Sequence, residues 1–178
     1  KTPITRYMET INFLKQEDLY SKEDLMIRDS VRDFVIKEVE PVLQEANRKE
    51  EFPIHLIKRF GEMNLLGVNI KGYDCPGLSE TAYGLIMQEL EAADSGIRSF
   101  CSVQGALVMW PIATYGSEAQ KEKYLSKMAK GELVGCFGLT EADAGSNPGG
   151  MLTKAEKVAG GYKLNGSKVW ITNGGIAD

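Results

Sequence analysis

The sequence predicts an α+β chain: an all-α domain over residues 1–133, then the start of an antiparallel β domain over 134–178. Three observations carry that prediction. From about Tyr7 to Gly131 apolar residues recur every three or four positions, the spacing of helices with one buried face. Two stretches, Ser21-Lys22-Glu23-Asp24 and Ser117-Glu118-Ala119-Gln120, have the form of a helix N-cap whose third following residue reaches back to it. After Leu133 the apolar pattern shortens and glycines become frequent, as in strands joined by turns.

The elements follow in order. Ser21 caps a helix on which Ile27, Val31, Phe34, Val35, Val39, Val42 and Ala46 share a face, with a kink expected at Pro41, which lacks a backbone donor. Pro53 opens a second helix carrying Leu56, Ile57, Phe60 and Met63, stopping near Gly67. Gly72 to Gly77 is a loop by composition. A third helix starts at Ser79, with Ala82, Ile86, Leu90, Ala93 and Ile97 on one face and Gly96 near its end. The run Ser99 to Gly116 carries no charge, yet it contains Ser102, Gln104, Gly105 and Pro111, so a buried helix pair is expected rather than a membrane span. Ser117 then caps a helix with Tyr124, Leu125 and Met128 on its apolar stripe, and Gly131 ends it.

In the β part, Val134 to Leu139 reads as a buried strand and Thr140 to Gly150 as a loop. Asn165-Gly166, between Tyr162–Leu164 and Ser167–Thr172, has the composition of a two-residue hairpin turn. That hairpin would place Tyr162, Leu164, Val169 and Ile171 on one face and Lys163, Lys168, Trp170 and Thr172 on the other. Trp170 would then need a cover, either the helices or a domain, subunit or flat ligand.

Composition narrows the function. Twenty-one Lys and Arg against 25 Asp and Glu give a net charge of −4, which argues against nucleic-acid backbone binding, because that requires a basic surface. Cys75, Cys101 and Cys136 are odd in number and far apart, so neither a disulfide framework nor a CxxC motif is expected, and a reducing compartment suits them. A lone histidine, His55, argues against a His-rich metal site or a Ser-His-Asp triad, and a helix-surface role is expected of it. No metal is expected. The chain opens at Lys1 with no basic–apolar signal pattern. Gly161 to Lys168 superficially looks like a P-loop, but its order is Gly-Ser-Lys and its context is a hairpin.

Two places invite chemistry. The loop Thr140-Glu141-Ala142-Asp143-Ala144-Gly145-Ser146-Asn147 offers hydroxyls, free N–H groups and small residues that a phosphate or polar ring edge can approach; an ordinary Asx-type loop has the same composition. Arg98 borders the uncharged run. Either it pairs with Asp94 one helical turn earlier, or it presents its planar fork to a ligand carboxylate, with Ser99 and Ser102 beside it.

The stretches Gly135-Cys136-Phe137-Gly138-Leu139-Thr140-Glu141, Ala144-Gly145-Ser146 and Trp170-Ile171-Thr172-Asn173 together resemble the signature of FAD-dependent acyl-CoA dehydrogenases. Upstream, Tyr83-Gly84-Leu85, Glu89-Leu90-Glu91, Asp94-Ser95-Gly96, Arg98-Ser99, Ser102-Val103-Gln104 and Tyr115-Gly116-Ser117-Glu118 are most similar to the glutaryl-CoA dehydrogenase branch. The resemblance runs from about Ser21 to the last residue. It implies an N-terminal helical domain, a middle β-barrel domain of which only the beginning is present, and a C-terminal helical domain that is absent. It also implies FAD as cofactor, contacted by Phe137, Leu139, Thr140, Gly145, Ser146, Trp170, Ile171 and Thr172. Arg98, Ser99 and Ser146 would face the acyl-CoA, with Arg98 and Ser99 at the distal carboxylate of glutaryl-CoA and Glu91 at a nearby acidic position. The family's glutamate base would lie beyond these residues, so no catalytic residue is assigned within them and the piece alone is expected to be inactive. Further implications are oxidative decarboxylation to crotonyl-CoA, electron-transfer flavoprotein as partner, a homotetramer at full length, and a cytoplasmic (bacterial) or mitochondrial-matrix (eukaryotic) location. Ala142 and Asn147 replace the family's common proline and aspartate, and Ile97, Phe100 and Cys101 depart from the glutaryl branch.

Three other readings fit the residues. The substrate could be another short or branched acyl-CoA, with Arg98 only a structural ion pair. The chain could be a non-catalytic or DNA-associated family member, against which the acidic charge counts. It could also be a separate helical interaction module.

Overall fold

Ser21 sets the first long helix by reciprocal capping. Its side chain accepts from the Asp24 N–H at 3.1 Å, while the Ser21 N–H donates to Asp24 at 3.2 Å. In the computed structural model, which describes residues 15–178, this helix is α1 (Lys22–Phe34). The part of the expected helical pattern from Tyr7 to Leu14 lies outside the described residues. After α1 the helix passes through a π stretch, Val35–Val39, into α2 (Glu40–Lys49), with Pro41 in the first turn of α2. The irregularity expected at Pro41 thus falls just before it: proline has no N–H to give, and the preceding turn relaxes to the wider hydrogen-bond pattern.

The next helix, α3 (Leu56–Glu62), ends sooner than Gly67, and the expectation there is corrected. Asn64 adopts a left-handed conformation with φ of 57° and breaks the helical path. The segment expected as a plain loop holds a minimal hairpin, β1 (Lys71–Gly72) paired with β2 (Cys75–Pro76). Tyr73 and Asp74 form its turn with φ of 55° and 60°, the left-handed pair that matches strand twist.

Ser79 caps α4 (Glu80–Ala93), which runs along α1. The single helix expected to continue through Ile97 is broken at Asp94. Asp94 leaves α4 with extended backbone, and its carboxylate accepts from the N–H groups of Gly96 and Ile97 at 2.8 and 3.0 Å to start α5 (Ser95–Ser102). Instead of a helix pair, the uncharged run continues α5 through a second π stretch, Val103–Met109, into α6 (Trp110–Tyr115). The second capping box holds: Ser117 starts α7 (Glu118–Ala129). No helix among the described residues is long and apolar enough to cross a membrane.

Phe34, Phe60 and Phe100 form the centre of the core, with Val39, Leu56, Leu66, Ile86, Leu90, Ile97, Met109 and Leu125 packed around them. A buried ion pair lies against it. Arg32 on α1 donates two hydrogen bonds, at 2.9 and 2.8 Å, to the carboxylate of Glu89 on α4, whose side chain is 2% exposed.

The β part differs from its expected form in two ways. Val134 to Leu139 belongs to no strand ladder, and of these residues only Val134 is buried, so the buried strand expected there is corrected. The hairpin is β3 (Lys154–Val158) with β4 (Gly161–Asn165), turning at Ala159-Gly160, rather than a turn at Asn165-Gly166. Lys163 lies opposite Glu156 in this register, so cross-strand charges oppose each other favourably. At Gly166, with φ of 152°, the chain crosses over Thr153, whose Cα would lie 2.6 Å from any added Cβ. The strand partner expected from Ser167 to Thr172 is therefore replaced by irregular chain, and Trp170 lies on no hairpin face.

Candidate functional site

The segments 135–141 and 168–173 come together through four ties. The Val169 N–H donates to the Thr140 carbonyl at 3.0 Å. Lys168 Nζ reaches the Leu139 carbonyl at 2.9 Å and a Glu141 carboxylate oxygen at 2.8 Å. Asn173 Nδ2 donates to the Gly135 carbonyl at 3.2 Å. Further along, the Asp178 N–H donates to the Val134 carbonyl at 2.9 Å, and the Asp178 carboxylate accepts from the Val134 N–H at 2.8 Å.

Glu141 is the hub of this region. Buried among polar groups, its carboxylate also accepts from the Leu152 and Thr153 N–H groups at 2.7 and 3.0 Å. The Lys168 ammonium and these donors favour the charged form and hold the carboxyl down to about 2. Glu141 and Ala144 exchange backbone hydrogen bonds, which folds the following loop into a tight turn with Gly145 and Ser146 exposed.

Large apolar groups remain uncovered on these two segments: Phe137 is 42% exposed, Leu139 37% and Trp170 93%. Trp170 does not pack on the helices. It also has a left-handed φ of 56°, which is unfavourable for a bulky residue. Ile171 is half-buried, and Thr172 is exposed. An aromatic held in an unfavourable conformation without burial suits a surface that a flat ligand covers. The residues present therefore fit a flavin: apolar faces on two adjoining segments, the Thr140 hydroxyl beside them, and open space at Gly145 where a Cβ would meet nothing within 4 Å.

Arg98 forms a second cluster on α5. Of the two alternatives for Arg98, the pairing with Asp94 does not form, since Asp94 caps α5 and Arg98 pairs with Glu91 instead. Arg98 Nε donates to Glu91 at 2.6 Å and Nη1 donates to Ser102 Oγ at 3.3 Å. Ser95 Oγ donates to the other Glu91 oxygen at 2.6 Å, and Ser102 Oγ donates to the Ser99 carbonyl at 3.2 Å. Arg98 with Ser95 lowers the Glu91 carboxyl below its ordinary range. Among the described residues Nη2 has no hydrogen-bond partner, so one terminal nitrogen of the fork is left over. No hydrogen bond among the described residues joins this cluster to Ser146.

Two buried polar residues, Gln104 and Glu89, support the clusters from the core, although neither is among the site residues expected from the sequence. Gln104, fully buried in the second π stretch, donates to the Leu133 carbonyl at 2.8 Å and accepts the Gly135 N–H at 2.8 Å. Glu89 fixes α4, the helix that carries Glu91. Both stand in blocks that carry the family resemblance, and Gln104 also stands out as a polar residue in an uncharged run, but nothing local to either marks its partner. Cys75 and Cys101 are buried to different degrees, and burial pushes the Cys75 thiol up to about 11 and raises Cys101 as well, while Cys136 is exposed. His55 is exposed just before α3.

Comparison with known proteins gives a consistent result. Residues 21–132 match the family model described as acyl-CoA dehydrogenase, N-terminal domain, and residues 136–178 match acyl-CoA dehydrogenase, middle domain. A glutaryl-CoA dehydrogenase structure from Mycobacterium smegmatis superimposes with a TM-score of 0.89 at 47% identity, covering 91% of this chain and 42% of that one. A second, in complex with FADH2, gives 0.90 at 42% identity and covers 100% of this chain and 45% of that one. Among curated relatives, an acyl-CoA dehydrogenase of Bacillus subtilis is 38% identical, and a short-chain-specific acyl-CoA dehydrogenase of Clostridium acetobutylicum is 36% identical. Each of these alignments covers 89% of this chain and 42% of the relative, so the chain spans less than half the length of the curated proteins it matches.

Proposed function

The chain belongs to the acyl-CoA dehydrogenase family, and from that premise we propose that it forms the helical domain (1–133) and the beginning of the middle domain (134–178) of an FAD-dependent dehydrogenase acting on glutaryl-CoA. The observation that carries the substrate reading is the Arg98 cluster. Glu91 engages Nε and Ser102 engages Nη1, which leaves Nη2 of a partly exposed side chain as a donor for a carboxylate. Ser99 stands beside it, and Ser146 lines the acyl-CoA from the loop after Glu141.

FAD, when bound, supplies the acceptor for a hydride leaving the β-carbon. Phe137, Leu139, Trp170 and Ile171 exclude water from its ring, while Thr140, Thr172, Gly145 and Ser146 meet its polar edges. The α-proton passes to a glutamate that the family places outside these residues, and loss of the distal carboxylate as CO2 gives crotonyl-CoA. The whole protein passes its electrons to electron-transfer flavoprotein, assembles as a homotetramer, and works in the bacterial cytoplasm or the mitochondrial matrix.

A second reading has its own support. Glu91 already balances the charge of Arg98, which suits a purely structural pair and another short or branched acyl-CoA as substrate. Steady-state assays of the full-length protein with glutaryl-CoA, butyryl-CoA and isovaleryl-CoA separate the two. Arg98→Ala should lower kcat/KM for glutaryl-CoA by roughly 10- to 150-fold, the worth of a lost charged hydrogen bond, and leave butyryl-CoA within about twofold. Equal losses on both substrates would sink the carboxylate role.

A further inference from the structure

Gly135 sits where three parts of the chain meet. Its N–H donates to Gln104 at 2.8 Å, and its carbonyl accepts from Asn173 at 3.2 Å. Its Cα lies against Val108, so that an added Cβ would collide with one Val108 methyl and come within 3.1 Å of the other. Gln104 and Val108 belong to the π stretch that continues the helix carrying Arg98. Gly135 precedes Phe137 by two residues, and Asn173 directly follows Thr172.

We propose that Gln104, Gly135 and Asn173 act as a positioning relay between the Arg98 cluster and the two flavin-facing segments. Gln104 sets where the 137–140 segment lies on the helix bearing Arg98. Asn173 sets where the 170–172 segment lies against 137–140. Both bonds converge on one residue that has no side chain to yield, so two amide side chains, together with the Val169 and Lys168 ties, set the distance from the Arg98 fork to the flavin-facing groups. Gln104 is well placed for this because it is fully buried with both ends engaged: its amide donates to the Leu133 carbonyl and its oxygen accepts the Gly135 N–H. Buried amides that lose a partner leave a desolvated group unpaired, so this register resists drift. The proposal rests on the flavoenzyme reading above, and it assigns no contact with substrate or flavin to Gln104 or Asn173.

The test uses the full-length protein with Gln104→Leu, Gln104→Glu and Asn173→Ala. Amide hydrogen exchange at Gly135 is read in the apoprotein, and the flavin midpoint potential and visible spectrum in the loaded one. The ratio of kcat/KM for glutaryl-CoA over butyryl-CoA completes the set. Gln104→Leu should raise exchange at Gly135 by about tenfold, the effect of one lost hydrogen bond, shift the potential and lower the substrate ratio. Gln104→Glu keeps an acceptor for the Gly135 N–H but, when ionised, gives up the donor to the Leu133 carbonyl, so it should restore the protection and the ratio only in part, to a level between Gln104→Leu and wild type. Asn173→Ala should shift the potential while leaving protection of the Gly135 N–H intact, and it carries the test alone if Gln104→Leu does not fold. Faster exchange with unchanged potential, spectrum and ratio would overturn the relay. A wild-type protein that binds no flavin would overturn the flavoenzyme reading instead, and the exchange results would still report on the Gln104–Gly135 bond.

Discussion

Arg32→Met is the sharpest probe of how the helices hold the Arg98 cluster. It leaves Glu89, 2% exposed on α4, with neither of its two guanidinium hydrogen bonds. Removing one partner of a fully buried pair costs about 3–5 kcal/mol. Arg32 itself is 34% exposed, so water can enter the space it leaves and replace part of its solvation. The expected loss is therefore about 2–3 kcal/mol. The companion Arg32→Met/Glu89→Met variant replaces both charges with apolar groups of similar length, and it should lie within about 1 kcal/mol of wild type, because no charge is then stranded. Urea unfolding followed by far-UV circular dichroism, with all variants compared at a common slope, measures both. Two results would refute the reasoning. One is a loss below about 1 kcal/mol for Arg32→Met, which would mean that Glu89 finds water without help. The other is a double variant as unstable as the single one, which would place the cost in lost packing rather than in an unpaired carboxylate. The consequence reaches the site because Glu91, two residues after Glu89 on the same helix, is the group that holds Arg98.

Two further outcomes are expected. The Glu141 carboxyl is held at about 2 against 4.5 for a free one. Its contribution to stability is thus fully present above pH 4.5 and is lost as pH falls through that window, so wild type and Glu141→Gln should converge in acid unfolding as pH drops from 5 to 2. Gly61→Ala should destabilise the helical domain by about 1–3 kcal/mol in thermal or urea unfolding. Its Cβ would meet the backbone of Lys130 at the end of α7, with the Lys130 Cα at 2.9 Å, and backbone cannot rotate aside.

Much of the helical domain was legible because its signals are local. Ser21, Ser79 and Ser117 each cap the helix expected of them, and Phe34, Phe60 and Leu90 are buried as their spacing implies. The errors fall where one local signal competed with another. Asp94 could pair with Arg98 or start a helix, and its short side chain served the two N–H groups nearest to it. Asn165-Gly166 has the composition of a turn, yet β3 is rich in charge and its strand character comes from cross-strand pairs such as Glu156 with Lys163, which no apolar alternation marks. The candidate site residues could be named only by resemblance, because Phe137 and Trp170 lie far apart in the chain and only tertiary hydrogen bonds bring their segments together. Gln104, Glu89 and Lys168 act through contacts 29 to 57 residues distant. Nothing in a window of neighbouring residues encodes such partners.

The two π stretches end one residue before a proline-bearing first turn, at Val39 before Glu40-Pro41 and at Met109 before Trp110-Pro111. A wider turn changes the rotational phase of every residue after it, as if the helix had been wound back by part of a step. In the second case the helix points Arg98 to one side and Gln104 into the core within six positions, and then exposes Trp110. A regular helix of the same length would repeat its faces. The change in winding here lies mostly between Gln104 and Trp110, so inserting or deleting a single residue near Gly105 would leave Arg98 and Gln104 in their places and turn Met109, fully buried, out of the core while re-aiming Trp110.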